Sequence, residues 1–568
     1  MLSSSADSTK GIHGIIMNFV SKYIRKYRKE AILAPLLKLF EATLELFVPL
    51  VVADIIDNGI SGPKSGTSYV LFSTCKLILL ALTGLIASVT AQFFAAKAAT
   101  GFAASVRSDL FSHILDFTYK QQDSIGSETL ITRLTSDVTR LQSGVNMTLR
   151  LLLRSPFVVL GAMIMAFTVD VKGALIFLTV IPLLSAVVIA LVFLTLPLYR
   201  ANQEKLDKLL LSVQESLQGA RVIRAFSLEK ENREEAESRN SDVFNASLKA
   251  GRFSAFQNPL TLVMINIATI MLIYVGAVRV DTGFITQGQV VALVNYTAQI
   301  LVELVKIANM MVTLTQAIAS GKRVCDILDK APGERVKREH NSSPSVSFEN
   351  VSFRYHETAE SALSDISFNI SDGELVGVIG STGSGKTTLA NLITGAYIPS
   401  EGNITVNGDV SIVPQKSVLF SGTVADNLRW GDPAASEEKM WECLKMACAE
   451  DFMREKEEGL EYMVNAGGKN LSGGQRQRLC IARALMRPSN ILILDDSASA
   501  LDYATEKKLR DAVRSLPMTV FWISQRTASI MGADKILVLD DGKLVGCGKH
   551  DELLETCDIY REIYESQN

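Results

Sequence analysis

Apolar positions are distributed along this chain in two different ways. Between residues 30 and 320 they form long, nearly unbroken segments; from 345 to 568 they fall into short runs between charged and glycine-bearing stretches. A helix that crosses a bilayer needs about 20 predominantly apolar residues. Six segments satisfy that: Ala31–Ile56, interrupted by Lys38, Glu41 and Glu45; Tyr69 to about Phe102; Leu149–Val169; Ala174–Tyr199; Pro259–Val280; and Val290–Ile318. The connections near 57–67, 169–173 and 281–287 are short and carry few bases, whereas 103–145 and 200–252 are long and rich in Lys and Arg. Basic loops stay in the cytoplasm, which places the N-terminus and the C-terminal half there and requires an even number of spans.

The two long loops keep a helical period. Arg107–Tyr119 and Ala201–Leu217 have charged faces, so the helices are expected to run far past the bilayer. Each loop has a glycine break, near 126–134 and at 219–226, where a short amphipathic helix could dock on another domain. Ile15–Arg28 combines apolar residues with Lys22, Arg25, Lys26 and Arg28, the pattern of a helix lying on the inner leaflet. Charges inside spans are functional candidates by default: Glu41, Glu45, Arg150, Arg154, Glu303 and Lys306. Glu41/Glu45 and Arg150/Arg154 are each spaced i, i+4, so each pair is expected on one helix face, lining a polar substrate cavity. Structural pairing or snorkelling is the competing reading.

Composition narrows the class. At 568 residues the chain is long enough for three or four units of about 150 residues. Hydrophobic residues make up 48% and charged residues 21%, an average that fits neither a wholly soluble enzyme nor a bare membrane bundle. The net charge of −3 gives no basic field for nucleic acid. Seven cysteines, an odd number with no CxxC, read as reduced thiols. The first thirty residues lack the short apolar core of a removable signal peptide.

The second half carries nucleotide chemistry. Gly380-Ser381-Thr382-Gly383-Ser384-Gly385-Lys386-Thr387, followed by Thr388, matches GxxxxGK[ST] between an apolar strand, Leu375–Ile379, and a helical segment, Leu389–Thr394. Glycines let backbone N–H groups face phosphates at a helix N-terminus. Lys386 would reach the β- and γ-phosphates of ATP, and Thr387 would ligate Mg²⁺. A second apolar strand, Ile491–Leu494, ends in Asp495-Asp496, and Asp495 is placed to hold Mg²⁺. Between them lies Leu471-Ser472-Gly473-Gly474-Gln475.

With these motifs the chain resembles the ATP-binding cassette (ABC) transporters, in the exporter-type half-transporter arrangement. The implied fold class is a multidomain membrane protein: a six-helix transmembrane domain followed by an α/β P-loop nucleotide-binding domain with a helical subdomain. The expected division is an N-terminal tail and interfacial helix over 1–30, a transmembrane domain over 31–325, a linker over 326–345 and a nucleotide-binding domain over 346–568. The resemblance assigns Tyr355 to stacking on adenine, Gln415 to Mg²⁺ and to sensing the membrane domain, and Ser499–Asp502 to coupling two sites. It also implies that two nucleotide domains sandwich two ATP molecules, each site joining the phosphate loop of one chain to Ser472, Gly473, Gly474 and Gln475 of the other. The segments at Gly126 and Gly219 align with the family's coupling helices.

Four departures stand out. The family's general base, a glutamate, is Asp496 here; one missing methylene draws the carboxylate back by about 1.5 Å, and poor placement can cost 10²-fold. The family's switch histidine is Gln525, in Phe521-Trp-Ile-Ser-Gln525. Its amide can hydrogen-bond phosphate but cannot titrate. Upstream of LSGGQ, Val464-Asn-Ala-Gly-Gly lacks a glutamate, and Gly402–Gln415 is short. The chain therefore resembles the degenerate-site subunit of a heterodimeric bacterial multidrug-type exporter. Its own site would bind ATP and hydrolyse it poorly, while its LSGGQ would complete the partner's competent site. A homodimer with Asp496 as a slower base, and an ATP-gated channel or regulatory subunit, are the alternatives. Substrates would be amphipathic drugs, lipids or peptides, and the membrane a bacterial plasma membrane.

Overall fold

The computed structural model describes residues 14, 16–60, 66–333, 345–355, 360–497, 499 and 501–567. Most of the N-terminal tail and most of the expected linker lie outside them. The described chain divides into two compact units, residues 1–115 with 128–331, and residues 116–127 with 332–568.

The first unit is helical. Residues 16–24 are helical and lead through a turn at Arg25–Tyr27 directly into Arg28–Asp54. Long helices follow at Thr67–Leu115, Val171–Gln218, Glu229–Ala255, Gln257–Asp281 and Gln287–Leu328, with Val138–Leu151 and Arg154–Val169 between the first two. Val171–Gln218 has 48 residues, about 72 Å at 1.5 Å per residue, which exceeds twice a hydrocarbon core of about 30 Å. Pro35 and Pro49 lie inside one helix and Pro182 and Pro197 inside another. Neighbouring helices tolerate such breaks in a membrane by re-satisfying the freed backbone.

Among the described residues four helical runs are long and apolar enough to cross a membrane: Thr67–Leu115, Ser127–Val169, Glu229–Asp281 and Gln287–Leu328. Two of the six expected spans do not meet that mark. Arg28–Asp54 carries Lys38, Glu41 and Glu45, and in Val171–Gln218 the apolar stretch that counts is only Val171–Val187. The helices pack through small residues: Ala42, Ala53, Ala162, Ala166, Ala174 and Ala292 are buried with Leu46, Phe177, Leu272 and Tyr296. Small side chains let backbones approach where lipid offers no hydrophobic drive.

The second unit is α/β. Its strands are β1 (Val346–Phe353), β2 (Leu363–Ile370), β3 (Leu375–Gly380), β4 (Glu401–Val406), β5 (Val410–Val413), β6 (Gly422–Thr423), β7 (Met463–Val464), β8 (Ile491–Asp495), β9 (Thr519–Ile523), β10 (Lys535–Asp540) and β11 (Lys543–Gly548). The main sheet has the order β11-β10-β3-β9-β8-β5, parallel except for β11. A second, antiparallel sheet has the order β2-β1-β4. Both faces of the main sheet are covered, which is why its strands read as unbroken apolar runs rather than alternating ones. Ile491, Ile493, Phe521 and Ile523 pack toward the antiparallel sheet; Leu492, Leu494, Val520 and Trp522 pack toward the helices of 424–513.

The segment expected near 126–134 opens with the short helix Ser127–Thr132. A second short helix stands before it, Tyr119–Ile125, started by a Thr118/Gln121 capping box and ended at Gly126, whose φ of 82° suits glycine. It belongs to the second unit, where Tyr397 Oη donates to Asp123 Oδ2 at 2.5 Å and Gly333 N donates to Gln121 Oε1 at 3.0 Å. The helix after Gly219 is where it was expected, Ala220–Ala225.

Candidate functional site

Parallel order brings the C-terminal ends of β3, β9, β8 and β5 to one edge of the sheet, where ligands bind in open α/β folds. The phosphate loop leaves β3, Gln525 follows β9, Asp495 and Asp496 end β8, and Gln415 follows β5. The loop runs Gly380–Gly385 into the helix Lys386–Ile393. Gly385 has φ of 98°, and a Cβ there would stand 2.8 Å from Ala362 O and 2.5 Å from Leu363 Cδ2. Only glycine fits that turn into the helix.

Lys386 is buried and curls back into the loop, its Nζ donating to Gly380 O at 2.8 Å and Ser381 O at 2.7 Å. Burial pushes its ammonium below the usual lysine range, while the charges of Asp496 and Asp495 work the other way. Asp495 is 3% exposed. Burial lifts its carboxyl above the usual range; the Thr387 hydroxyl opposes this, at 3.4 Å from Oδ1, and the Asp496 charge adds to it. Asp496 is raised for the same first reason, burial, and held down by the Gln415 amide, Lys386 and Arg526. Gln415 Nε2 is 3.5 Å from Asp496 Oδ2, at the outer limit of a hydrogen bond. The Asp496 backbone is left-handed, with φ of 47°, a conformation that Asp accepts better than most side chains.

These residues fit a magnesium nucleotide. A buried carboxylate beside a hydroxyl and an amide offers the oxygen donors Mg²⁺ takes, with phosphate and water supplying the rest. Among the described residues there is no cluster of three or more His, Cys, Asp or Glu that would hold a metal without such help. Tyr355 packs edge-on against Phe353 and Tyr397, at 4.9 and 5.4 Å between centroids, and its hydroxyl is 3.0 Å from Thr388 Oγ1.

The LSGGQ stretch begins the helix Gly473–Met486. Ser472 caps it: Gln475 N donates to Ser472 Oγ at 3.2 Å and Ser472 N to Gln475 Oε1 at 3.0 Å. Ser472 and Gly473 are exposed, and a Cβ at Gly473 would meet nothing within 4 Å. The glycine is therefore not demanded by packing within this chain. Asp502 caps the helix Tyr503–Arg514, accepting from Thr505 N at 2.9 Å. Sequence reasoning missed Gln477, which is buried and donates to Asp496 O at 3.4 Å; a polar residue on the apolar face of that helix was the available signal. It also missed Gln567, whose amide donates to Gln525 O at 2.7 Å; nothing in the sequence marks it.

The six charges in the membrane unit do not act as one lining. Glu45 and Glu303 border a cleft of about 340 Å³ with Val48, Pro49, Val52, Val158, Asn295, Ala298, Gln299 and Val302. Arg154 is buried and bonds Glu303 and, at 2.6 Å, Glu45. Ser155 and Lys306 also bond Glu303, at 2.6 and 2.8 Å. Glu41 is drawn aside by Lys38 at 2.6 Å. Arg150 and Arg154 flank a turn at Leu152–Leu153 whose backbone stays in the helical region, and it is Arg154 that meets the two glutamates.

Comparison with known proteins agrees with this geometry. Residues 31–304 match the ABC transporter transmembrane region and residues 363–499 the ABC transporter domain. An uncharacterized ABC transporter ATP-binding protein of Mycobacterium tuberculosis is 33% identical over 98% of both chains, and the Bacillus subtilis protein YfiB is 33% identical over 96% of this chain and 97% of its own. The ATP-dependent lipid A-core flippase of Desulfotalea psychrophila is 32% identical over 81% of this chain and 84% of its own. The fold matches that of a bacterial Atm1-family ABC exporter solved with ATP bound, with a TM-score of 0.76 over 96% of this chain and 98% of that one, at 21% identity. The chain belongs to the ABC transporter family, as an exporter-type chain in which a membrane region precedes an ATPase domain that binds ATP and drives transport.

Proposed function

We propose that this chain is one half of a two-chain exporter that moves amphipathic molecules out of a bacterial cytoplasm by alternating access. Six helices would span the plasma membrane, Arg28–Asp54 and Val171–Gln218 joining the four more apolar runs, their charges paired or placed beyond the hydrocarbon. Lys386 and the loop amides would hold the phosphates of ATP. Mg²⁺, held by Thr387, Gln415 and Asp495, would neutralise charge on the β- and γ-phosphates. Asp496 stands in the base position and Gln525 in the switch position of a site that retains ATP and hydrolyses it slowly.

The observation that carries the reading is a mismatch within one domain. The base and switch positions hold Asp496 and Gln525, yet the helix start at Ser472–Gly474 is intact, with Ser472 and Gly473 exposed and open space around Gly473. A helix N-terminus is an anion site, and here it would close on a partner's nucleotide. The helix Ala220–Ala225 leaves Val222 and Phe226 59% and 72% exposed, as a segment docking on a partner would. The substrate reading rests on the cleft at Glu45 and Glu303, apolar-walled with a few acceptors, and on the likeness to a lipid flippase.

The test is ATP turnover in lipid by this chain alone and co-expressed with the half-transporter encoded beside it. Robust turnover only for the pair is the expected result; equal turnover alone would refute it. In the pair, Asp496→Asn should leave turnover within about twofold, because the competent base belongs to the partner; a 10²-fold loss, typical of removing a working base, would contradict that. The second reading, a homodimer, is favoured by one observation: burial lifts the proton affinity of Asp496, which leaves it base character.

A further inference from the structure

The loop that carries Gln525 is gripped from two sides. On one side is the helix Tyr503–Arg514: Arg510 Nη1 donates to Ala528 O at 2.7 Å, and the buried Glu506 accepts from Ser529 Oγ and sits 3.5 Å from Arg526 Nη1. On the other side is one side chain, Gln567. Its Nε2 donates to Gln525 O at 2.7 Å, and its Oε1 accepts from Thr527 N at 2.8 Å and Thr527 Oγ1 at 3.0 Å. Gln567 stands on a firm base. The helix before it, Asp558–Glu565, is anchored by Tyr560, which is fully buried and whose hydroxyl lies 2.7 Å from His550 Nδ1.

We propose that Gln567 is a positioning residue for this chain's own nucleotide site: its amide fixes Gln525–Thr527 in one place and thereby lengthens the stay of ATP there. The inference rests on the reading of that site as one that retains ATP and hydrolyses it slowly. A histidine at position 525 could hold a γ-phosphate through a charge-assisted bond, about twice as strong as a neutral one. Gln525 has only a neutral amide to offer. Such a bond adds little if the loop must be ordered each time it forms, because ordering backbone consumes most of the gain. Gln567 orders the loop in advance, using both ends of its amide on the backbone that flanks Gln525. It touches no substrate itself.

The test uses the co-expressed pair in lipid, labelled with 8-azido-ATP carrying different isotopes on its α- and γ-phosphates and crosslinked at intervals after dilution. Separating the chains on a gel then reads nucleotide retained on this chain alone. Two variants are compared. Gln567→Ala removes all three bonds. Gln567→Glu keeps an acceptor for Thr527 N–H but sets a carboxylate oxygen against the Gln525 carbonyl. Both should lose intact nucleotide from this chain about fivefold faster than the unaltered pair, the size of effect one or two net hydrogen bonds give. Hydrogen exchange at the Thr527 amide should quicken in Gln567→Ala and stay slow in Gln567→Glu. Turnover at the partner's site should stay within twofold, and the melting midpoint should not move. Release at the unaltered rate in both variants would overturn the proposal. So would faster release accompanied by an equal loss of turnover and a lower melting midpoint, which would mean general loosening. If the unaltered pair loses the γ-label from this chain as fast as it turns ATP over, while the α-label stays, the site is a competent hydrolase. The underlying reading then fails first, before any variant is compared.

Discussion

Gly473→Asp should lower ATP turnover by the two-chain complex about 10²- to 10³-fold, the usual scale for losing an electrostatic contact to a reacting oxyanion. The expected loss is functional, because the substitution suits the fold of this chain. The position is exposed, and nothing stands within 4 Å of the new Cβ. Gly473 is also the first residue of a 14-residue helix, where an acidic side chain is favourable. The same carboxylate would sit where the proposal seats the partner's triphosphate, and like charges there repel. Adding Ser472→Ala removes the cap oxygen as well, at a cost of about 0.5–2 kcal/mol to the helix, so the single variant is the cleaner probe. Turnover should be measured beside ATP binding to this chain's own phosphate loop, which should be unaffected. Full turnover by Gly473→Asp would mean that this LSGGQ does not serve a competent site.

The second large effect is on stability. Arg154→Ala should destabilise the membrane unit by about 3 kcal/mol, the lower end of the range for breaking a buried ion pair from one side. The arginine joins Glu45 and Glu303 from two other helices, and the Glu303 side chain is 3% exposed. Removing it leaves a buried carboxylate with Lys306 and Ser155 as its partners, which is why the lower end applies. Arg154→Met combined with Glu303→Gln should recover much of the loss, since no charge is then stranded. The readout can be local. All three tryptophans, Trp430, Trp441 and Trp522, lie in the nucleotide-binding unit. Melting followed by the helical signal should therefore move down while melting followed by tryptophan emission should not. Equal movement of both signals, or none in either, would refute a role confined to the membrane helices.

The nucleotide site was legible because each of its parts is a local pattern. The strand Leu375–Gly380, the glycine loop and Lys386 are contiguous, and Ile491–Asp495 is a short apolar run ending in acids. The membrane charges were visible as residues but not as partners. An i, i+4 spacing predicted one face for Arg150 and Arg154, but not that Arg154 would meet Glu45 and Glu303 on two other helices. Spacing along a chain relates residues of one helix and does not say which residue of another helix they meet. Helix existence was likewise readable and helix number was not: besides the helix that begins after Gly126, a capping box of Thr118 and Gln121 starts a second one just upstream.

By itself, then, the sequence determined the two-part organisation, the phosphate loop, the acidic strand, the LSGGQ motif and the two departures at Asp496 and Gln525. All of these rest on residue type and on contacts between near neighbours in the chain. The tertiary structure alone decided which distant groups meet. It set Arg154 between Glu45 and Glu303, 109 and 149 positions away, Tyr397 on Asp123 across 274, and Gln567 on the loop of Gln525 across 42. A buried polar group must find a partner, but many residues of the right chemistry could serve. Only the packing of helices and the order of strands selects the one that does.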